Sequence, residues 1–485
     1  MTSELNRREF LRVAGVAGLG SLSAARGGAA PAVRPNLVYV FADQHRHASW
    51  SGGSDAQVVT PNLARLAREG AFFNHCLSNY PLCSPYRASL LTGRYPQTNS
   101  IMRNIGAGQP GLPTSEVTIA DLLKQAGYAT GYVGKWHLYP GSPEGKLVPA
   151  GPHRHGFDWW RVCHNYRRRY DTRCFDDQGK EFVLPGYAPK AQMDLTLEFI
   201  EQHARHPFCV FLSWHPPHAP YEEAPQRFLD LYPSEKLKLR PNVPQDADLK
   251  RIRQAYVGYF SHVSAMDEEM GRLMAKLAQL GIADRTIVCY SSDHGDMLGS
   301  FNLWAKQKPW EESINVPFVI RWPAGIPAGR RLNSLFSTVD ITPTLLGLAG
   351  VPAPRQMEGA DLSGILKGQD AAGPESVFLM ARGAAGGGDE QAAPASAGRR
   401  RQDRKAAKQG ARRAGNQPGE WRGVRTARFT YARRQTRGEA LPWVLYDNDK
   451  DPYQMRNLVD DPAARSTRKE LDTMLERWRK RLGEA

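Results

Sequence analysis

The sequence predicts an α/β fold, with a mostly parallel sheet flanked by helices and a small α+β subdomain at the C-terminus. Continuous apolar runs are the first observation, since parallel strands buried on both faces have this character. These runs lie at 36–43, 128–133, 208–214 and 286–293. Helical patterns between the runs are the second observation, and they lie at 60–70, 118–125 and 249–280. Strands that alternate with helices indicate a doubly wound sheet.

The helices have recognisable boundaries. Pro61 suits the first turn of its helix because it lacks the N–H that a first turn leaves unpaired. Gly127 and Gly281 follow the other two patterns, where glycine ends a helix. After about residue 360 the pattern changes, with strands expected at 376–380, 421–433 and 443–446 and a helix at 467–482. This change predicts the separate C-terminal subdomain.

Length and charge give the domain organisation. The chain has 485 residues, enough for a large and a small domain. Its net charge of +15 is uneven, because residues 399–413 hold eight basic residues against one acidic residue. Residues 383–420 contain no apolar side chain larger than alanine, which predicts a disordered basic insertion. We predict a catalytic domain at 31–360 and a C-terminal subdomain at 361–485, with no nucleic acid among the partners.

The first 30 residues have the features of an export signal. Arg7 and Arg8 precede a short apolar stretch at 13–25, followed by small residues. An adjacent arginine pair at this position is typical of a twin-arginine signal. The apolar stretch is too short for a stable membrane anchor. The sequence therefore predicts a bacterial periplasmic or extracellular protein without a transmembrane span.

Six cysteines are too few and too scattered for a disulfide framework. Cys209 and Cys289 lie in apolar strand patterns and are expected in the core. Cys163 and Cys174 could pair after export, and the sequence leaves this open. No cysteine spacing predicts a zinc site.

The segment Cys83–Arg94 reads Cys-Ser-Pro-Tyr-Arg-Ala-Ser-Leu-Leu-Thr-Gly-Arg. Pro85 places Cys83 at the N-terminus of a helix, where unpaired N–H groups favour negative charge. Arg87 adds a permanent cation one turn later. A thiolate there is expected to have a depressed pKa, and an anionic ester would meet donors directed at it. The alternative is a buried cysteine that begins a core helix.

Polar side chains follow two of the predicted strands. Asp43 and Gln44 end the first strand, and Asp293 and His294 end the last. Ligands of open α/β sheets bind beyond the carboxyl ends of the strands, and carboxylate, amide and imidazole groups could hold a hard divalent cation there. Each residue alone could equally cap a helix or orient a loop.

Cationic and imidazole side chains follow the other strands. Lys135 and His137 come after 128–133, and alternate residues of an extended segment share a face. His218 ends a proline-rich loop and is the candidate acid for a leaving alcohol, with His215 as the alternative. Lys306 is a candidate anion-binding group, with Lys308 as its rival.

The segment Cys-x-Pro-x-Arg followed by Thr-Gly-Arg resembles the signature of the sulfatase family. The resemblance extends over residues 35–350 and to 421–426 and 445–454. It implies an alkaline-phosphatase-like fold and oxidation of Cys83 to formylglycine by a formylglycine-generating enzyme, here before export. It also implies calcium, with Mg²⁺ or Mn²⁺ as alternatives because Gln44 departs from the usual second aspartate. The roles it implies are metal binding by Asp43, Gln44, Cys83, Asp293 and His294, support of the hydrated aldehyde by Arg87, sulfate contact by Lys135, His218 and Lys306, and proton removal by His137.

These features together predict an exported sulfuric ester hydrolase acting on sulfated substrates, small molecules or polysaccharides, with carbohydrate as the favoured class. Residues 154–187 are rich in Trp, Tyr, Arg and His and are expected to form the selective wall of the pocket. A phosphonate or phosphate diester hydrolase on the same scaffold is the first alternative. A noncatalytic polyanion-binding protein is the alternative of another class.

Overall fold

The structure is a computed structural model that describes residues 34–141, 146–163, 168–369, 372–382, 419–436 and 438–484. The predicted signal at 1–30 lies outside the described residues, as does the predicted insertion at 383–420 up to residue 418. Gly419 and Glu420 are described and lead into the C-terminal sheet, where the Glu420 carbonyl accepts a hydrogen bond from the Gln435 N–H at 2.7 Å. Within the described part of the chain, none of the helices combines the length and the apolar character needed to cross a membrane.

The described strands of the first sheet number eleven, and the sheet is mixed but mostly parallel. They are β1 (Asn36–Asp43), β2 (Ala71–Leu77), β3 (Ala129–Gly134), β4 (Trp159–Cys163), β5 (Arg173–Phe175), β6 (Glu181–Val183), β7 (Phe208–Pro217), β8 (Thr286–Ser292), β9 (Asn315–Val316), β10 (Val319–Arg321) and β11 (Arg330–Ser337). Their order is β11-β2-β10-β8-β1-β7-β3-β4-β5-β6, and β9 pairs with β2. Strand β1 is parallel to both of its neighbours, β7 and β8. The predicted fold class is confirmed.

Eleven helices accompany the sheets in the described residues. They are α1 (Pro61–Arg68), α2 (Cys83–Thr92), α3 (Pro96–Asn99), α4 (Ile119–Gln125), α5 (Ala188–His203), α6 (Gln226–Leu229), α7 (Leu249–Gln279), α8 (Glu311–Ile314), α9 (Thr338–Ala349), α10 (Ser363–Leu366) and α11 (Arg465–Arg481). The three helices predicted between the strands correspond to α1, α4 and α7 within a few residues, and the helix predicted at 467–482 corresponds to α11. The predicted helix that Cys83 begins is α2.

Strand β1 separates two apolar cores, because successive side chains of a strand point to opposite faces. Leu37, Tyr39 and Phe41 pack in the core that includes residues of α2, α4 and α9. The residues between them pack in the core that includes residues of α1, α5 and α7. Because both faces of β1 are buried, a ligand can meet this strand only at an end, and Asp43 lies at the carboxyl end.

The C-terminal region forms a second, antiparallel sheet. Its strands are β12 (Ser376–Ala381), β13 (Trp421–Thr426), β14 (Phe429–Thr436) and β15 (Glu439–Asp447). The stretch predicted as a strand over 421–433 forms two strands, because Thr426 Oγ1 accepts from the Phe429 N–H and closes a tight turn. An ion pair of 2.8 Å joins Arg425 of β13 to Glu311 of α8, so the small sheet is held against the large one by buried charge as well as apolar contact.

Candidate active site

Two carboxylates lie side by side at the carboxyl edge of the large sheet. Ala42 of β1 pairs with Ser292 of β8, so the next residues, Asp43 and Asp293, lie side by side at this edge of the sheet. Both side chains are completely buried, and the Gln44 N–H donates to Asp293 Oδ1 at 2.9 Å. The parallel register of two strands far apart in sequence thus creates this acidic pair.

Cys83 is the first residue of α2 and faces the acidic pair. Its Sγ lies 3.4 Å from His294 Nε2, 3.6 Å from Lys306 Nζ and 3.7 Å from Asp43 Oδ1. Gly93 ends α2 in the left-handed conformation, at φ 63°, which glycine adopts at little cost. The helix between Cys83 and Gly93 is buried throughout, so the position of the sulfur is fixed by packing.

The expected thiolate at Cys83 is not supported. Burial and the Asp43 carboxylate raise the pKa of the Cys83 thiol to about 12, and the opposing charges of Lys135 and Lys306 do not outweigh them. The unmodified cysteine is therefore a protonated thiol at neutral pH. A helix N-terminus lowers a thiol pKa only where desolvation and neighbouring carboxylates do not dominate.

The two carboxylates differ in their electrostatic surroundings. Burial alone would raise the pKa of Asp43, but the ammonium of Lys135, whose Nζ lies 2.5 Å from Asp43 Oδ2, holds it well below its usual range. Burial and the charge on Asp43 raise the pKa of Asp293 to about 7. Negative charge is therefore concentrated on Asp43, which faces both the sulfur and the nearest lysine.

His294 and the acidic pair fit a divalent cation. His294 Nδ1 lies 3.0 Å from the Gly295 carbonyl, which can only accept, so Nδ1 donates and Nε2 holds a lone pair. His294 Nε2 lies 3.6 Å from Asp43 Oδ1 and 3.5 Å from Asp293 Oδ1. Burial and Lys306 keep the pKa of His294 well below its usual range. Three acceptor atoms therefore face one another, and with Cys83 they form a group whose ligand atoms all lie within 4.8 Å of each other.

Gln44 is oriented by a residue that the sequence analysis did not assign, Asp296. Gln44 Nε2 donates to Asp296 Oδ2 at 2.5 Å, and the Tyr221 hydroxyl donates to the same oxygen at 2.5 Å. Gln44 Oε1 consequently faces the other way and accepts from Lys306 Nζ at 3.1 Å. The run Asp293–Asp296, with two carboxylates directly after a strand, is the signal that could have identified this support.

Arg87 and Lys135 are the cations on the β3 side of the site. Arg87 Nη2 lies 3.3 Å from Asp43 Oδ2 and 3.5 Å from Asp293 Oδ2. Arg87 Nη1 donates to the Lys135 carbonyl at 2.8 Å and to Ser213 Oγ at 2.5 Å. Every one of these residues is buried, so the guanidinium is held in one orientation between the carboxylates and the end of β3.

Lys135 and His137 do not lie in an extended segment as predicted, because the backbone has positive φ at Gly134 and at His137. Gly134 has φ 98°, and a Cβ there would lie 2.1 Å from the Ser213 carbonyl oxygen. His137 has φ 59°, and the Ser84 hydroxyl holds its carbonyl at 2.7 Å. Burial, followed by Lys135 and Arg87, lowers the pKa of His137 well below its usual range, so His137 is neutral.

The structure distinguishes the two candidate lysines. Lys306 Nζ lies at the site, 3.6 Å from Cys83 Sγ and 3.1 Å from His218 Nε2. Lys308 Nζ donates to the carbonyls of Trp304 and Lys306, each at 2.9 Å. Lys308 therefore stabilises the loop that presents Lys306.

The two candidate histidines stack on each other, with ring centroids 4.6 Å apart. His218 Nδ1 lies 2.9 Å from the Ala219 carbonyl, so Nδ1 donates and Nε2 accepts from Lys306. His215 Nδ1 instead lies 2.7 Å from Arg169 Nη1. His218 is thus hydrogen-bonded directly to Lys306 at the site, and His215 stacks beside it. The sequence analysis placed Arg169 within the pocket wall at 154–187 without assigning it individually.

The cysteine pair left open by the sequence forms a disulfide between Cys163 of β4 and Cys174 of β5. The other cysteines, Cys76, Cys83, Cys209 and Cys289, are free and buried, which confirms core positions for Cys209 and Cys289.

Comparison with known proteins gives consistent results. The family model described as Sulfatase matches residues 35–351. The ulvan-active sulfatase of Formosa agariphila is 36% identical over 463 residues, which cover 93% of this chain and 82% of that protein. A solved structure concerned with the metabolism of multiple glycosaminoglycans by Bacteroides thetaiotaomicron is 27% identical, with a TM-score of 0.77 over 91% of this chain and 96% of that chain. The phosphonate monoester hydrolase of Agrobacterium radiobacter shares the fold, with a TM-score of 0.70 and 21% identity over 93% of this chain and 96% of that chain.

Proposed function

Since the chain belongs to the sulfatase family and is a sulfatase, we propose that it is exported and releases sulfate from sulfated carbohydrates, using a formylglycine made from Cys83 and a divalent cation. The observation that supports this most strongly is the surroundings of Cys83 Sγ. The sulfur lies within 3.7 Å of the acidic pair's Asp43, the imidazole of His294 and the ammonium of Lys306. These groups would bind a metal and an anionic substrate beside the nucleophile.

Asp43, Asp293 and His294 would hold the cation, joined by Gln44 and the modified Cys83. Calcium is proposed because the donors are mainly hard oxygen atoms, with Mg²⁺ or Mn²⁺ as alternatives because Gln44 and His294 are neutral. When bound, the cation supplies Lewis acidity that polarises a sulfate oxygen. Formylglycine supplies a hydrated aldehyde, in which one hydroxyl can attack sulfur and the other allows sulfate to leave by C–O cleavage.

Arg87, Lys135 and Lys306 supply fixed positive charge around the ester. All three are buried and held by hydrogen bonds to protein groups. Groups that need not reorganise during the reaction give the strongest electrostatic stabilisation. We assign sulfate binding to Lys135 and Lys306, and support of the nucleophile to Arg87, which lies against both carboxylates.

The two neutral imidazoles, His218 and His137, carry out the proton transfers of the reaction. Lys306 Nζ donates to His218 Nε2, so the proton shared by these two atoms is the one available to the departing alcohol. Burial, with Lys306 and Lys135, holds the pKa of His218 well below its usual range, so it readily releases a proton that it receives. His137, neutral and next to Lys135, is the base for the remaining hydroxyl proton.

The carbohydrate class rests on the relatives. One relative is an ulvan-active sulfatase, and another belongs to glycosaminoglycan metabolism. Ulvan and most glycosaminoglycans are sulfated polysaccharides. The proposed export signal is consistent with a substrate outside the cytoplasm. Side-by-side sulfate release from ulvan and glycosaminoglycan oligosaccharides would identify the sugar, and an aryl phosphonate monoester would test the phosphonate hydrolase alternative, which shares the fold.

The proposal is tested on protein produced together with a formylglycine-generating enzyme. We expect the peptide that contains residue 83 to have lost one sulfur and two hydrogens and gained one oxygen, and Cys83→Ala to abolish hydrolysis of an aryl sulfate. A fully converted, metal-loaded preparation in which Cys83→Ala retained its rate would exclude the mechanism. An unmodified thiol in protein from the native host would exclude formylglycine as the nucleophile.

A further inference from the structure

We propose that Arg169 is a positioning residue for the two stacked histidines, holding His215 in one tautomer and His218 in its place against Lys306. This inference rests on the proposed function, because it concerns the proton delivery assigned there to His218. Arg169 donates hydrogen bonds to His215 Nδ1 and to the His218 carbonyl, so it acts on both histidines as a positioning residue.

The backbone of Arg169 is held by hydrogen bonds to two other elements. Arg169 lies five residues before Cys174 of β5, which a disulfide joins to Cys163 of β4. Its N–H donates to Glu223 Oε2 at 2.9 Å, and its carbonyl accepts from the Ala188 N–H at 2.8 Å. The backbone of Arg169 is therefore fixed by α5 on one side and by the loop after β7 on the other.

The side chain of Arg169 is buried, with none of its surface exposed. Nη1 donates to His215 Nδ1 at 2.7 Å, and Nη2 donates to the His218 carbonyl. One planar guanidinium thus contacts both ends of the segment His215–His218. A lysine could not reproduce this, because its single ammonium lacks the forked geometry of the guanidinium.

The contact determines the tautomer of His215. Burial lowers the pKa of Arg169 to about 10, which leaves the guanidinium charged at neutral pH. A guanidinium can only donate, so His215 Nδ1 must hold a lone pair and the ring hydrogen must be on Nε2. His218 has the opposite tautomer, since its Nδ1 donates to the Ala219 carbonyl. The two stacked rings therefore present different groups at Nε2, a donor on His215 and an acceptor on His218.

Loss of Arg169 would release both constraints together. His215 would be free to exchange tautomers and to rotate, and it supports one face of the His218 ring at a centroid distance of 4.6 Å. The hydrogen bond from Lys306 Nζ to His218 Nε2 depends on that ring position. Displacement of a catalytic group by about 1 Å can lower a rate by about 10²-fold.

The first test is spectroscopic and independent of activity. Long-range ¹H–¹⁵N correlation spectra of histidine-labelled full-length protein distinguish the two tautomers, and His215→Gln identifies the signals of His215. We expect His215 to be protonated at Nε2 alone in the wild type and to show tautomer exchange in Arg169→Met. Unchanged His215 signals in Arg169→Met would overturn the proposal.

The second test is kinetic, on formylglycine-containing enzyme with an aryl sulfate. We expect Arg169→Met to lower kcat by about 10²-fold and to change KM by less than about threefold. Arg169→Lys should keep the tautomer and have an intermediate kcat, which also covers the case in which Arg169→Met does not fold. Arg227→Met is the matched control, because Arg227 is exposed on α6 and paired with Glu268; it should retain the wild-type kcat.

The outcomes separate this inference from the proposed function. Retained activity in Cys83→Ala would refute the proposed function whatever Arg169 does. If Cys83→Ala is inactive while Arg169→Met retains kcat, Arg169 has no positioning role. Equal loss of activity in Arg169→Lys and Arg169→Met, with the His215 tautomer unchanged in both, would also overturn the inference.

Discussion

Lys306 and His218 share a hydrogen bond of 3.1 Å between Nζ and Nε2, with the ammonium as donor. The same ammonium lies 3.6 Å from Cys83 Sγ, so one cation links the nucleophile position to the candidate proton carrier. This relationship separates Lys306 from Lys308, whose ammonium donates to the carbonyls of Trp304 and Lys306.

Substitution of the two lysines should therefore have different effects. We expect Lys306→Met to lower kcat on an aryl sulfate by about 10²–10³-fold, as for loss of a preorganised donor, with little change in melting temperature. Lys308→Met should lower the melting temperature, because the carbonyls of Trp304 and Lys306 lose their donor, and should reduce kcat less. A larger kcat loss in Lys308→Met than in Lys306→Met would reverse the assignment of the two residues.

A divalent cation should stabilise the protein, because only the folded state brings the acidic pair and His294 Nε2 close together. At about 100 times the dissociation constant the stabilisation is about 2.7 kcal/mol. We expect chelation to lower the melting temperature and Ca²⁺ to restore it. The measurement is thermal unfolding with Ca²⁺, Mg²⁺ or Mn²⁺ added in turn.

Asp293→Asn should lose most of this response to the cation. Asp267→Asn is the matched control, since Asp267 is also a buried aspartate but accepts from the N–H groups of Asn62 and Leu63 at the start of α1. It should melt lower than the wild type but keep the cation response. If none of the three cations raises the melting temperature of the wild type, the assigned metal site is wrong.

The Arg425–Glu311 pair should stabilise the association of the two sheets. Arg425 is 1% exposed, and Arg425→Met would leave the Glu311 carboxylate without its cation. Breaking a buried pair in this way costs about 3–5 kcal/mol. We expect the free energy of unfolding to fall by this amount at pH 7, and Arg425→Met combined with Glu311→Leu to recover part of it.

The contribution of this pair should depend on pH with a defined sign. Burial would raise the pKa of Glu311, but Arg425 lowers it below its usual range. A carboxyl whose pKa is lower in the folded state stabilises above its unfolded pKa, about 4.3 for glutamate, and loses that contribution as the pH falls through the folded value. The difference between the wild type and Arg425→Met should thus be constant near neutrality and shrink in acid. A difference that grew in acid would contradict the assignment.

Reduction of the Cys163–Cys174 disulfide should destabilise the pocket wall. The bond joins residues 11 apart, and closing a loop of about this size contributes about 3 kcal/mol. We expect a reducing agent to lower the melting temperature of the wild type and to have no effect on the variant with both Cys163→Ser and Cys174→Ser. Free thiols at both positions in protein from an oxidising compartment would show that the pair does not form.

The sequence by itself determined the scaffold and the position of the site. Asp43 and Asp293 could be placed together because the carboxyl ends of parallel strands share one edge, and this follows from local pattern alone. The nucleophile helix was equally predictable, because Pro85 and Gly93 mark its two ends. Such features depend on short stretches of chain, so they can be predicted without knowing what packs against them.

Only the tertiary structure decided which charges and imidazoles act together. Lys306 and Lys308 lie two residues apart in the same loop, yet their roles differ. The Lys306 ammonium contacts Cys83 and His218, whereas the Lys308 ammonium donates to backbone carbonyls of the loop. The thiol pKa of Cys83 rises because burial and Asp43 outweigh the helix N-terminus. Arg169, the tautomers of His215 and His218, and the Cys163–Cys174 bond likewise depend on distances between separate elements. Those distances arise from packing, and neither residue spacing nor composition contains them.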